Sequence, residues 1–323
     1  MERAVARPRL IRLVTPLLVL CKKVLAPWRF HWPIYDVWRY FVNATSRELY
    51  RRDKKKISLT PLEASVIREL KDTGIAVVEL SDIFSGFTFS DIQAWTEAQL
   101  RSPEIQERIK IIEGGGQPRA RGGKYYIVRP LGDVPVIDID AAVMGVTLSE
   151  SILRIVCGYF GMFSRLAAVD LWYNVATPGP DEFSQKWHRD PEDRAIIKTF
   201  LYLRDVDEAN GPFCYVPGTH RPGPLRQKIG RYNYPDDGVI ERRFPPNLRR
   251  VCTGKAGTLI FCDTTGFHKG GHPSKGARFV FNAMYTTNGA EPVARKSRLY
   301  HLKGARGGLQ SAAARYAVGL CGD

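Results

Sequence analysis

Two neighbouring residues in this chain have the types and spacing of metal ligands. His188 and Asp190 stand two apart in the stretch KWHRDPED, Lys186 to Asp193. On an extended chain such residues point the same way, so both side chains can face one interior. Two imidazoles and one carboxylate on one face of an iron ion leave the remaining positions open to reactants. The third ligand must then come from another strand. The stretch GFHKGGHPSKGARFVF, Gly266 to Phe281, offers His268, with His272 as its competitor. Further on, Arg278 opens an apolar run. A guanidinium held inside a barrel near a metal suits a dicarboxylate cosubstrate, because it makes two parallel charge-assisted bonds to a carboxylate. Among the other histidines, His220 sits in the tight turn PGTHR and reads as structural or as a support to the site. His31 and His301 are given no role.

Positioning these groups needs paired strands. From residue 166 onward, β-type runs alternate with turns: Leu166–Ala176, Ala195–Leu203, Pro212–Val216, Gly257–Asp263 and Arg278–Thr287. Many short strands at this density predict a sandwich or barrel. Before them, Ile75–Leu80 reads as a strand and Ser58–Gly74 as a helix that starts at Thr60-Pro61 and stops at Gly74. A further helix is predicted from Ser90 as N-cap, and another over Thr147–Gly161. The stretch EGGGQPRARGGKYY, Glu113 to Tyr126, is a flexible loop with donors to offer, and Arg121 and Lys124 are its candidates for a supporting or substrate role. It lacks the ending and the frame of a phosphate-binding loop. It is expected either to cover a site for something anionic or to be a solvated loop.

The net charge of +15 is concentrated at one end. Residues 1–56 hold 14 lysines and arginines against four acids. The body is only mildly basic, which argues against nucleic acid as a partner. The uncharged stretch Leu13–Cys21 is far short of the ~20 residues that span a bilayer and has no cleavage site after it. Thr15-Pro16 is a good helix start, and Trp28–Val42 mixes aromatics with arginine as a headgroup-level anchor does. The arm is therefore expected either to lie on a membrane surface or to pack on the body. The six cysteines match no zinc pattern and read as free thiols in a reducing, cytoplasmic compartment, with the arm allowing a peripheral place at the inner face of the membrane.

Several of these features, in order, resemble the phytanoyl-CoA dioxygenase family of iron(II)- and 2-oxoglutarate-dependent oxygenases. They are DTGIAVVEL, WHRD, DVDEANGPFCYVPGTHR and GTLIFCDTTGFHKGG followed by Arg278. The resemblance covers roughly residues 60–290. It implies an α+β chain with a mainly β core, a double-stranded β-helix (jelly-roll, cupin-like) barrel with flanking helices. The expected division is an arm (1–56), an oxygenase domain (57–295) and a C-terminal tail (296–323). It implies His188, Asp190 and His268 as ligands of Fe(II), Arg278 as partner of the distal carboxylate of 2-oxoglutarate, and Asn174 and Phe200 as further cosubstrate contacts. No catalytic residue is implied beyond the metal centre. His272 is then left with a supporting or substrate role. Gly270 stands where the family often carries a hydroxyl. With O2, the implied reaction hydroxylates a substrate C–H bond and releases succinate and CO2. Related halogenases replace the carboxylate by a small residue, so Asp190 implies hydroxylation. The substrate is expected to be a small molecule or, given the arm, a lipid, an acyl chain or a membrane glycolipid. A non-catalytic barrel that binds an acidic surface is the alternative. Arg189, between the two ligands, is expected to face away and to tolerate replacement better.

Overall fold

The computed structural model describes residues 31–56, 58–86, 88–226, 235–290, 300–304, 309 and 311–320. The expectations for Leu13–Cys21, Thr15-Pro16, Cys21 and Cys321 lie outside the described residues. The strands are β1 (Ile75–Glu79), β2 (Ile127–Val128), β3 (Val136–Asp138), β4 (Arg165–Val175), β5 (Ile197–Tyr202), β6 (Phe213–Tyr215), β7 (Arg250–Cys252), β8 (Thr258–Asp263), β9 (His268–Gly270), β10 (Ala277–Thr286) and β11 (His301–Lys303). The α-helices are α1 (His31–Val42), α2 (Ala44–Lys54), α3 (Pro61–Thr73), α4 (Leu80–Ile83), α5 (Phe89–Leu100), α6 (Pro103–Glu113), α7 (Ala142–Thr147), α8 (Glu150–Phe160), α9 (Asp237–Arg243) and α10 (Ala312–Ala317).

Six strands form an antiparallel sheet in the order β1-β8-β5-β10-β4-β2. Three more form a smaller antiparallel sheet, β7-β6-β9. Side chains alternate across the large sheet, as the strand period requires. One set, with Leu171, Val175, Leu201, Phe261, Phe279 and Phe281, joins the main core beneath the helices. The other set, with Phe200, Tyr202, Ile260, Cys262 and Val280, meets Phe213 and Tyr215 of the small sheet. The rings of Phe200 and Phe213 lie 4.7 Å apart between the sheets. The architecture is the expected mixture of helices around an antiparallel jelly-roll core. Among the described residues the two sheets do not hydrogen-bond into one closed barrel.

Local chemistry sets the element ends. Thr60 caps α3 with Glu63 in a reciprocal capping box, and Gly74 ends the helix at φ 84°. A Cβ at Gly74 would lie 2.3 Å from the Tyr215 hydroxyl and 2.8 Å from the His220 ring, so only glycine fits there. Nε2 of His220 lies 3.0 Å from the carbonyl of Lys71, which gives this histidine the structural place expected of it. The cap of α5 is Thr88 rather than Ser90, because Asp91 completes a capping box with Thr88.

Residues 31–56 pack on the body. On α1, Trp38 and Val42 are buried while Val37, Tyr40 and Phe41 are exposed. Arg39 pairs with Asp193 at 2.7 Å, and Asp36 with Arg194 at 2.8 Å. The C-terminal tail also docks: β11 pairs in parallel with β3, and buried Tyr300 donates to the carbonyl of Leu166 at 3.1 Å. Cys157, Cys214, Cys252 and Cys262 are free thiols.

Candidate metal centre and its cavity

A short antiparallel bridge joins the loop after the 3-10 turn Phe183–Gln185 to β9. His188 N donates to His268 O at 2.9 Å, and His268 N to His188 O at 3.0 Å. Asp190 N donates to Thr264 O at 2.9 Å, which seats the loop beside the end of β8. These bonds place His188, Asp190 and His268 together, with one possible ligand atom from each, all within 4.8 Å of one another. The imidazole centroids are 4.2 Å apart. Asp190 Oδ1 lies 3.8 Å from His188 Nε2, and Oδ2 lies 3.7 Å from His268 Nε2.

The donor chemistry fits a metal ion. His188 Nδ1 lies 2.8 Å from Lys186 O, and His268 Nδ1 lies 3.0 Å from Gly266 O. A carbonyl only accepts, so each Nδ1 carries the proton and the lone pair of each ring stays on Nε2, turned to the carboxylate. Burial holds both imidazoles below their ordinary range, His268 at about 3, so both are neutral near pH 7. Burial pushes the Asp190 carboxyl up, but the Lys198 ammonium 2.6 Å from Oδ2 outweighs it and keeps Asp190 well below the usual carboxylate range. Two neutral imidazoles and an ionised carboxylate are the donor set of a divalent ion.

The cavity beside these three groups lies between the sheets. Arg278, Asn174, Phe200 and Lys124 line it with them. Arg278 is buried on β10, directly across from Asn174 on β4, whose amide donates to the Arg278 carbonyl at 3.3 Å. A Cβ at Gly270 would sit 2.8 Å from Arg278 Nη2. A larger residue 270 would require the Arg278 guanidinium to shift. Ser184 and Tyr126, whose oxygens lie 3.1 Å apart, supply hydroxyls in the same cavity.

Two sequence candidates stand elsewhere. His272 is held by Thr177, its Nε2 2.8 Å from that carbonyl, and by Asp181, and it does not line the cavity. Arg121 donates to Asp133 O at 2.6 Å, also away from the cavity. Arg189 does face away from the ligands, with its guanidinium 3.7 Å from the centroid of Phe267. It is 1% exposed, so truncation there opens a buried space whatever it does to the site. Sequence reasoning passed over Lys198, Trp172, Tyr126 and Tyr202, which line the cavity as well. The signal for Lys198 and Tyr202 was the strand period, since both stand two residues from Phe200.

Residues 157–280 match the phytanoyl-CoA dioxygenase (PhyH) family. This span of family likeness takes in the His188–Asp190–His268 set and Arg278, and leaves out Lys124 and the arm. A curated relative, the ectoine dioxygenase of Bordetella parapertussis (strain 12822), is 28% identical over 123 residues, 32% of this chain and 40% of that protein. The chain thus matches about two fifths of that relative's length. Among solved structures, EctD from S. alaskensis with 2-oxoglutarate and 5-hydroxyectoine is 19% identical, with a TM-score of 0.48 over 71% of this chain and 76% of that one. The non-heme alpha-ketoglutarate-dependent carbocyclase SnoK is 16% identical, with a TM-score of 0.47 over 77% and 95%. No helix among the described residues is long and apolar enough to cross a membrane.

Proposed function

We propose that this chain is an Fe(II)- and 2-oxoglutarate-dependent oxygenase that hydroxylates a C–H bond of an organic substrate. The observation that carries this reading is one cavity holding both a three-residue metal donor set and a buried arginine. His188, Asp190 and His268 would hold the iron. Arg278 would take the distal carboxylate of 2-oxoglutarate, with Asn174 and Phe200 beside it. When bound, iron would let O2 oxidise 2-oxoglutarate to succinate and CO2, with one oxygen atom going into succinate and the other into the substrate hydroxyl. The protein's own part is orientation and exclusion of water. The Lys186 and Gly266 carbonyls fix the imidazole tautomers. Phe200, Phe213 and Val280 form apolar walls. Asp190 keeps a carboxylate at the ligand position, which favours hydroxylation over halogenation.

A finer reading concerns location. The exposed face of α1 presents Val37, Tyr40 and Phe41, and exposed Arg51, Arg52, Lys54, Lys55 and Lys56 follow at the end of α2. Exposed aromatic and basic groups on two consecutive helices support peripheral contact with an anionic lipid surface, at the inner face of a cytoplasmic membrane, and a lipid-like substrate. Exchange of Val37, Tyr40 and Phe41 for serine should reduce binding to anionic vesicles, and unchanged binding would sink this part.

The test of the oxygenase reading is direct. The protein is loaded with Fe(II) without oxygen, and 2-oxoglutarate binding is measured. Oxygen and candidate substrate pools are then supplied, and succinate is followed. Metal-dependent 2-oxoglutarate binding and succinate release are expected, both lost in Arg278→Met. A wild-type protein that neither binds nor consumes 2-oxoglutarate refutes the proposal.

A further inference from the structure

One donor in the cavity wall is left over by the fold. Gln185 ends the 3-10 turn Phe183–Gln185, lines the cavity and is 3% exposed. Its Oε1 accepts from the Glu182 amide at 2.9 Å. A backbone N–H only donates, so this bond fixes which way the side-chain amide is turned and leaves Nε2 on its other side. Among the described residues nothing accepts a hydrogen bond from Nε2. A buried amide nitrogen without an acceptor costs stability, and each one that a fold keeps asks for a use. The hydroxyls on this wall are already engaged. Tyr126 donates to the Glu182 carbonyl at 3.1 Å, and Ser184 Oγ lies 3.1 Å from the Tyr126 oxygen. Since the tyrosine proton goes to the carbonyl, the serine proton goes to the tyrosine.

The turn stands beside the arginine. A Cβ at Gly270 would lie 2.8 Å from Arg278 Nη2 and 3.7 Å from the Ser184 carbonyl oxygen, so the guanidinium and the residue before Gln185 border the same space. Position 270 puts no side chain between them. Arg278 gives one bond to the Gly271 carbonyl at 3.4 Å and keeps its other N–H groups for a ligand. A carboxylate that takes a two-pronged bond from a guanidinium still has lone pairs to fill. A free amide N–H in the same cavity is a donor of the right kind for one of them.

We infer that Gln185 Nε2 donates to the distal carboxylate of 2-oxoglutarate alongside Arg278, and that Gln185 helps select a dicarboxylate over a 2-oxo acid with one carboxylate. This rests on the oxygenase reading and adds a specificity-determining residue to its cosubstrate site.

The experiment uses the full chain loaded with Fe(II) under anaerobic conditions, so that binding is read by calorimetry without turnover. The probes are 2-oxoglutarate and 2-oxovalerate, which ends in a methyl group where 2-oxoglutarate has its distal carboxylate. Gln185→Met removes the donor at similar volume. Gln185→Glu keeps the Oε1 bond to the Glu182 amide and puts an oxygen in place of the donor. Loss of a hydrogen bond to a charged group predicts that each variant binds 2-oxoglutarate about ten- to a hundredfold more weakly, while affinities for Fe(II) and 2-oxovalerate change by less than about threefold. If Gln185→Met does not fold, Gln185→Glu decides, because it preserves the turn. Variants that hold 2-oxoglutarate as tightly as the wild type overturn the inference and leave Nε2 to another ligand. Variants that lose Fe(II) or 2-oxovalerate by the same factor overturn it too, since Gln185 then only holds the site together. Binding of 2-oxoglutarate to the wild type is measured first: its absence defeats the oxygenase reading, whereas its presence with no specific loss in the variants defeats only this inference.

Discussion

Asp190 and Asp193 stand three residues apart on one loop, Asp193 buried and Asp190 half-buried. Their surroundings differ. Asp193 is enclosed by protein donors. Arg39 Nη2 lies 2.7 Å from Oδ1, the Arg194 amide 2.6 Å from the same oxygen, and the amide and hydroxyl of Thr287 are each 2.8 Å from Oδ2. Asp190 has one close cation, Lys198, and otherwise faces two imidazole nitrogens at 3.7 and 3.8 Å, too far for a hydrogen bond and well placed around an ion. Burial pushes Asp193 up in spite of Arg39, while Lys198 holds Asp190 down in spite of burial. A carboxylate whose acceptors are all used by protein is architecture. One kept ionised with neutral imidazoles turned toward it is a place for a ligand.

The sharpest separation comes from removing each in turn. Asp190→Ala should weaken Fe(II) binding by more than about a hundredfold, since even loss of a supporting contact to a ligand typically weakens metal binding ten- to a hundredfold. The same variant leaves the buried Lys198 ammonium without its partner, so its denaturation midpoint should fall too, and metal binding is compared on the folded fraction. Metal titration and urea unfolding on one sample check both halves. Asp193→Asn should cost stability without the loss of metal. It leaves the Arg39 guanidinium facing a neutral amide, and breaking such a buried pair lowers stability by about 3 kcal/mol. Iron affinity in the folded fraction should change by less than tenfold. If Asp193→Asn weakened iron as strongly as Asp190→Ala does, the division between the two carboxylates would fail.

The same contrast explains what could be read from sequence. Asp190 was legible because its partners obey short rules: His188 is two residues away on an extended chain, His268 follows the recognisable strand β8 after a short turn, and Arg278 lies at the start of β10. Phe200 was legible too, and Lys198 could have been, by counting two residues back along the same strand. Asp193 was not legible. Its partners Arg39 and Thr287 come from a helix 154 residues before it and a strand end 94 residues after it, and no local pattern connects them. For that reason the arm offered two readings from sequence, membrane anchor or packed subdomain, whereas the structure docks α1 on the loop that carries Asp193 and Arg194. Short strands were lost in a similar way. β9 has three residues and exists because Tyr215 and His188 pair with it, not because His268-Lys269-Gly270 favours an extended chain.

A third carboxylate gives the smallest expected effect and shows that distance alone does not decide the matter. Asp205 meets Lys255 Nζ at 2.7 Å, the same separation as Arg39 and Asp193. Here the side chains are 59% and 83% exposed, against 0% for Asp193 and 15% for Arg39. Water solvates both ions whether or not they meet, and holding a long lysine chain in one rotamer offsets what attraction is left. Asp205 also keeps the amide of Ala256 at 2.9 Å when the lysine is gone. Lys255→Ala should therefore leave the thermal midpoint within error of wild type, and added salt should make no difference between the two. A clear drop in midpoint, removed by salt, would mean that equal distances carry equal weight in this protein whatever their burial, and the contrast between Asp190 and Asp193 would lose its physical basis.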